Sequence, residues 1–404
     1  MKKYILKKKI FAVVFLLVIF SFSIINFVHT FEPLKTLLLD ENRTEALTVA
    51  QVENTINENL YGKMNFIETF GYIQVLMDKR ESNNFTSIMD EDGFLHYSSF
   101  YRDEDSRIFE YAMRLKRLQD YVKPNGTKVL FVVTPGKYIP DETIFRTGMS
   151  VNNPNPVVDE LLFYLNRLGV ETLDLRECLP NEQLSYEETF FKTDHHWTIP
   201  AAFQATKAVV DEIEESFGAE LDPEGYYTDI SNYDIVTYKQ GMLGSMGRKT
   251  GAVFSGLEDF TAIFPRFEGD FYRECLMDEG QELAVYEGSF TEALMNTDLL
   301  TEKKDVYSDS QYSVYLNGLR IYEKIRNKEK PDGPSFFMIR DSYFPPVMAF
   351  MMPMCGRIDA MWSLEETHEL DIESYIKKES FDYIIMEIYP YNIENKAFNF
   401  IKEE

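Results

Sequence analysis

Histidine and cysteine are scarce in this chain of 404 residues, with five of the former and three of the latter. Cys178, Cys275 and Cys355 show no CxxC or zinc-type spacing. That leaves either one disulfide in an exported domain or three separate half-buried thiols. Positive charge is also short. The chain has 41 Lys and Arg against 67 Asp and Glu, for a formal net charge of −26. Such a surface repels nucleic-acid phosphates, so nucleic acid is excluded as a partner, and it reads as a solvated acidic exterior. No internal repeat and no low-complexity tract occurs, which removes solenoids and compositional linkers. Aromatics, in contrast, abound, with 32 Phe and 25 Tyr. A disordered chain would lack them.

The N-terminus departs from the acidic balance. Lys2, Lys3, Lys7, Lys8 and Lys9 precede an uncharged apolar run from Ile10 to Val28. These nineteen residues suffice to cross hydrocarbon as a helix. Lysines before the run and acidic residues after it predict a cytoplasmic N-terminus with the remainder outside the cell. No small-x-small cleavage site follows. The chain reads IINFVHTFEP, with bulky Phe27 and His29, which favours an uncleaved anchor over a removed signal peptide. Residues 1–31 are expected to form a cytoplasmic stub and anchor, and residues 32–102 a mostly helical stalk or cap in which DEDGFLHY makes a turn and a short strand.

From residue 103 onward helix and strand patterns alternate. Ile108, Ala112, Leu115, Leu118 and Val122 share one helical face, which Pro124, Asn125 and Gly126 end. KVLFVVTP, from Lys128, is the apolar β-branched run of a strand buried on both faces. Next comes a helix with Asn155 as N-cap, Pro156 in the first turn and Gly169 past its end, then a strand in VETLDL. This order predicts an α/β fold with a parallel sheet flanked by helices. Residues 221–330 interrupt it with an irregular, β-rich insertion, in which QGMLGSMGRKTGAVF reads as a hairpin or substrate loop. Regular order returns with PSFFMIRDS, GRIDAMW, LDIESYIKKES and FDYIIMEI.

Two segments carry chemistry. In FFKTDHHWTIPAAFQA, Thr198 is a plausible N-cap, and Asp194, His195, His196 and Trp197 sit in the loop that feeds the helix. In PSFFMIRDSYFPP, Asp341 and Ser342 fall between a strand end and a helix start, where open α/β sheets bind ligands. A serine hydroxyl needs a base to become a nucleophile, and the base needs a carboxylate to fix its tautomer. Asp194 and His196, two positions apart in an extended loop, project the same way, which favours His196 over His195 as the base. A metal held by Asp194 and the two histidines is disfavoured, because adjacent residues rarely converge on one ion and no third histidine or Glu cluster accompanies them.

At these residues the sequence resembles the DHHW protein family, a branch of the SGNH-hydrolase-like proteins that includes the alginate O-acetyltransferases. The likeness extends over NENLYGKMNFIETFGYIQ, DEDGFLHY, KVLFVVTPGKYIP, VETLDL, TDHHWT, GMLGSMGRKTG and IRDSY. The order Asp194, His196, Ser342 follows the acetyltransferase-like branch, in which Asp-x-His precedes the serine. The resemblance implies nucleophile Ser342, base His196 and orienting Asp194, with Asn392 as an oxyanion donor. His195, Trp197 and Arg340 are further candidates on the substrate or oxyanion side. Arg340 stands where ordinary SGNH proteins have glycine. The Asp-x-Arg of related proteins is replaced by Asp359-Ala360-Met361, with Arg357 as a substitute.

The expected activity is acetyl transfer onto cell-surface or secreted polysaccharide through an acyl-Ser342 intermediate, with no cofactor and no metal. The partners implied are an acetylated donor, a polysaccharide acceptor and a multipass membrane acyltransferase. A carbohydrate acetylesterase differs only in using water as acceptor. A non-catalytic polysaccharide-binding or scaffold protein of a surface apparatus is the third reading.

Overall fold

The structure, a computed structural model, describes residues 2–39, 47–82, 85–98, 107–149, 151, 153–276, 283–301, 305–363 and 372–400. The chain divides into two compact units, Met1–Ile73 and Gln74–Glu404.

The first unit is helical. Its helix Lys2–Leu38 runs 37 residues, and the nineteen apolar ones span roughly 28 Å at 1.5 Å each. It is long and apolar enough to cross a membrane or to serve as a signal. The helix Val49–Glu58 starts at a capping box in which Thr48 and Gln51 satisfy each other's main-chain N–H groups.

The second unit is built on an eight-stranded sheet. Its order is Glu171–Asp174, Lys128–Val133, Tyr383–Ile388, Ser335–Arg340, Arg357–Trp362, Tyr322–Asn327, Phe271–Leu276 and Ala284–Gly288. The first five strands are mutually parallel, as expected from the alternating pattern. The last three continue the sheet antiparallel. Side chains alternate along the parallel strands. Phe336 and Met338 enter one core with Leu130, Val132 and Ile385. Phe337 and Ile339 enter a second core with Phe131, Val133 and Met386. Helices Ile199–Phe217 and Pro345–Met351 supply the first core, and Ile108–Val122 and Asn155–Leu168 the second. Both faces are covered, which is why these strands read as unbroken apolar runs.

Four features differ from the sequence reading. Residues 221–330 are not set apart from the sheet: the strands at 271, 284 and 322 widen it, because alternating burial along Tyr322–Asn327 and Phe271–Leu276 supplies one inward face. QGMLGSMGRKTGAVF does end one strand of an antiparallel pair, Tyr233–Met242 with Glu258–Pro265, but the connection holds two short helices, Ser245–Thr250 and Ala252–Ser255, in place of a simple turn. The helix Asn155–Leu168 begins one residue early, so Pro154 takes the cap position and Asn155 the first turn. The second compact unit starts at Gln74, ahead of residue 103, since Leu95 N donates to Lys192 O at 2.8 Å and draws in a small antiparallel sheet of strands Glu81–Ser82, Ser87–Met89 and Leu95–Tyr97. The three cysteines are free.

Candidate active site

Asp341 and Ser342 emerge from the C-terminal end of the central strand Ser335–Arg340, beside the end of Tyr383–Ile388. The helix Pro345–Met351 starts immediately after, with prolines in its first turn. Asp341 fixes this turn. Its Oδ1 accepts from Tyr343 N at 2.9 Å, and its Oδ2 accepts from Tyr389 N and Asn392 Nδ2, both at 2.7 Å. Asp341 N donates to Glu387 Oε2 at 3.0 Å. Burial, and then the Asp341 charge beside it, push the Glu387 carboxyl well above its usual value.

The DHHW residues occupy the tip of a tight hairpin. Phe190 bridges Trp197, and Thr198 N donates to Thr189 O at 2.8 Å. Glu258, from the strand Glu258–Pro265, accepts from Lys192 N at 2.7 Å and Thr193 N at 2.8 Å. Thr198 then caps the helix Ile199–Phe217 by accepting from Ala201 N.

The two segments meet. His196 Nε2 lies 2.8 Å from Ser342 Oγ, and His196 Nδ1 lies 2.6 Å from Asp194 Oδ1. Facing a carboxylate, Nδ1 carries the ring proton and donates it, which leaves the Nε2 lone pair to accept from the serine. Asp194 Oδ2 accepts from Ser245 N at 2.6 Å. Burial alone would raise the Asp194 carboxyl. The His196 and His195 rings, with the His196 and Ser245 hydrogen bonds, outweigh it and hold the group well below the ordinary range. Tyr312 stacks on the His196 ring, with centroids 3.9 Å apart and planes at 16°.

The other expected residues fall into distinct places. Asn392 is held to the serine turn through Asp341. His195 packs on His196, with Nδ1 3.2 Å from Ser245 Oγ, and its side chain is 20% exposed. Burial first, then the adjoining His196 ring, lower it to about 3, so it is neutral at physiological pH. Trp197 is core: fully buried, it donates from Nε1 to Tyr312 Oη at 3.1 Å and Tyr343 O at 3.2 Å. Arg340 is also fully buried. It pairs with Glu323 and donates to Arg320 O at 3.0 Å, so it cannot meet a substrate. Arg357 starts its strand opposite Ser335 and pairs with Glu379, at the far end of the sheet from Ser342.

Asp194, His195 and His196 do bring ligand atoms within 4.8 Å of one another. Both ring nitrogens of His196 are nonetheless committed, one to Asp194 and one to Ser342, so the arrangement suits proton transfer better than metal binding. Sequence reasoning missed Ser245, Glu258, Tyr312 and Glu387. The glycines of GMLGSMG were the only hint, as marks of close backbone approach.

These residues sit on a mixed α/β fold, a central sheet flanked by helices, with the serine turn and the hairpin tip meeting at one end of the parallel strands. Residues 88–245 match the family described as SGNH hydrolase-like domain, acetyltransferase AlgX. The structure is similar to a DHHW family protein from Eubacterium siraeum, at 18% identity over 78% of this chain and 95% of that chain, with a TM-score of 0.56. It is also similar to Bacillus cereus PatB1 bearing a sulfonyl adduct, at 15% identity over 78% of this chain and 100% of that chain, with a TM-score of 0.62. No curated protein matches the chain. The resemblance read at Asp194–Trp197 is borne out by the matched family and by the fold.

Proposed function

We propose that this chain is an extracytoplasmic serine O-acyltransferase, which moves an acetyl group onto cell-surface or secreted polysaccharide. The observation that carries the reading is the bridge made by His196, at 2.8 Å from Ser342 Oγ on one side and 2.6 Å from Asp194 on the other. The matched family is described as an acetyltransferase, and the similar PatB1 carries a sulfonyl adduct; both support an acyl-accepting nucleophile.

In this mechanism Ser342 Oγ attacks the donor carbonyl while His196 Nε2 takes its proton. Asp194 stays ionised and stabilises the imidazolium through Nδ1–H. The oxyanion is met by the Ser342 N–H, which has no hydrogen bond among the described residues, and by the second N–H of the Asn392 amide. His196 returns the proton to the leaving group. An acceptor hydroxyl then attacks the acyl-serine, with His196 again as base, and Ser342 is regenerated. The apolar helix serves as a single-pass anchor, with the second unit outside the cell and a multipass membrane acyltransferase as the source of acetyl groups.

The test uses the full-length protein in detergent with an acetylated chromogenic ester and a polysaccharide acceptor. Burst release of chromophore, acetate recovered on the polymer and sulfonylation of Ser342 are expected. Equal release by Ser342→Ala would remove the reading. Release with acetate found only in solution would convert it to an esterase, which shares every step except the acceptor.

A further inference from the structure

Lys137 lies just past the strand Lys128–Val133 and is buried. Its Nζ donates to Leu95 O at 2.6 Å, Asp194 O at 2.8 Å and Lys192 O at 3.2 Å. Three ammonium protons thus meet three main-chain carbonyls, and no donor remains for a substrate. Among the described residues Lys137 makes no ion pair, although burying an unpaired charge is costly. Two of the three carbonyls belong to the tip that carries Asp194 and His196; the third belongs to the small sheet that flanks it. The Phe94 ring lies 5.3 Å from the same nitrogen.

We propose that Lys137 is a positioning residue for the His196 base, its ammonium clamping the hairpin tip so that Asp194 and His196 hold their orientation toward Ser342. The inference about geometry stands by itself, while its effect on turnover rests on the proposed acyl transfer.

The clamp has a consequence in pH. Among the described residues, the charged and titratable groups around Lys137 are Asp90 and His96 beside the small sheet, Lys192, Asp194 and His195 from the tip, Glu258 from its neighbouring strand, and Tyr186, whose Oη donates to Lys137 O at 2.7 Å. Burial lowers Lys137 to about 8, against the pull of Glu258, Asp194 and Asp90. A neutral amine has two N–H groups for three carbonyls, so one hydrogen bond is lost and the lone pair faces an oxygen. Between about pH 8 and 10.5 the unfolded chain keeps a proton that the native state has released, so the contribution of this group to stability rises with pH. Clamp strength and stability therefore move in opposite directions, and that separates positioning from plain structural support.

The experiment follows two signals in the full-length protein in detergent: the far-downfield NMR resonance of the proton between His196 Nδ1 and Asp194, and turnover of an acetylated chromogenic ester. In the wild type both are expected to fall as pH rises through about 8, without a parallel fall in melting temperature. Lys137→Met should lack the resonance at pH 7 and turn over roughly 100-fold more slowly at similar KM, with no alkaline limb. Ethylammonium added to Lys137→Ala should restore part of both signals. A resonance that persists in Lys137→Met, or that is unchanged in the wild type from pH 6.5 to 9.5, overturns the proposal whatever the ester assay gives. The wild-type titration stands even where the variant does not fold. The expected resonance changes with no ester turnover in the wild type would instead sink acyl transfer and leave the clamp.

Discussion

A methyl group on Gly244 would sit 2.5 Å from Asp194 Cβ and 2.5 Å from the Thr193 carbonyl. Only glycine lets the chain pass close enough for the next residue, Ser245, to donate its N–H to Asp194 Oδ2. Gly244→Ala must displace the carboxylate or the hairpin. Overpacking of this kind costs about 1–3 kcal/mol, and a displacement of an ångström costs roughly 100-fold in rate. Denaturant unfolding and ester turnover on one preparation check both. Wild-type turnover in Gly244→Ala would separate Gly244 from the function of Asp194.

Asp194→Asn keeps the shape of the side chain but removes the charge that stabilises an imidazolium and selects the Nδ1–H tautomer. A loss of about 10⁴-fold in turnover is expected, with sulfonylation of Ser342 slowed in parallel. Ser342→Ala should abolish sulfonylation and leave melting nearly unchanged, since the residue is only half-buried and, among the described residues, its hydroxyl is partnered by His196 alone. The two variants together should cost no more than Ser342→Ala alone, because the residues act as a unit. Additive losses would contradict that coupling.

Much of the fold was legible because its cause is local. KVLFVV and FFMI are apolar on both alternations, and Thr198, Pro200 and Gly218 punctuate one helix. The pairing of Asp194-x-His196 with Asp341-Ser342 was legible because histidine is rare here and both segments sit at element boundaries. Ser245 was not, because it contributes a main-chain N–H that any residue could supply. Lys137 was not, because its partners are main-chain atoms of distant loops, and Glu258 was not, because it binds the hairpin mostly through main-chain N–H groups, with the Thr193 hydroxyl besides; such partners leave little mark on residue type. The antiparallel strands at 271, 284 and 322 escaped because half-buried alternation is a weaker signal than a doubly buried run. Arg340 was placed near the substrate by its sequence neighbourhood, and the structure buries it with Glu323.

Stability should fall on mild acidification. Burial holds His96 at about 4, outweighing its 2.8 Å hydrogen bond with Asp90, whereas a free imidazole titrates near 6.5. Between these values the unfolded chain binds a proton that the native state refuses. The unfolding free energy therefore drops as pH is lowered from about 6.5 to about 4, by on the order of 3 kcal/mol from this group. Below that range both states are protonated and the effect levels off. Urea midpoints at pH 7 and 4.5 measure the drop, and His96→Gln should flatten it. An unchanged slope in that variant would assign the acid sensitivity elsewhere.

Arg340 should reveal itself in stability rather than in substrate affinity. Arg273 and Arg340 both pair with Glu323, and all three side chains are buried. Removing the single carboxylate leaves two guanidinium groups without their ion-pair partner among the described residues, and breaking a buried pair costs about 3–5 kcal/mol. Glu323→Gln is expected to lose that much, whereas Arg273→Met, Glu323→Leu and Arg340→Met made together should fall much closer to the wild type, because no orphaned charge remains. Through all of these, KM for a small ester should stay within about two-fold among molecules that fold, since uniform binding has not been touched. A raised KM in Arg340→Met at wild-type stability would return Arg340 to the substrate side of Ser342.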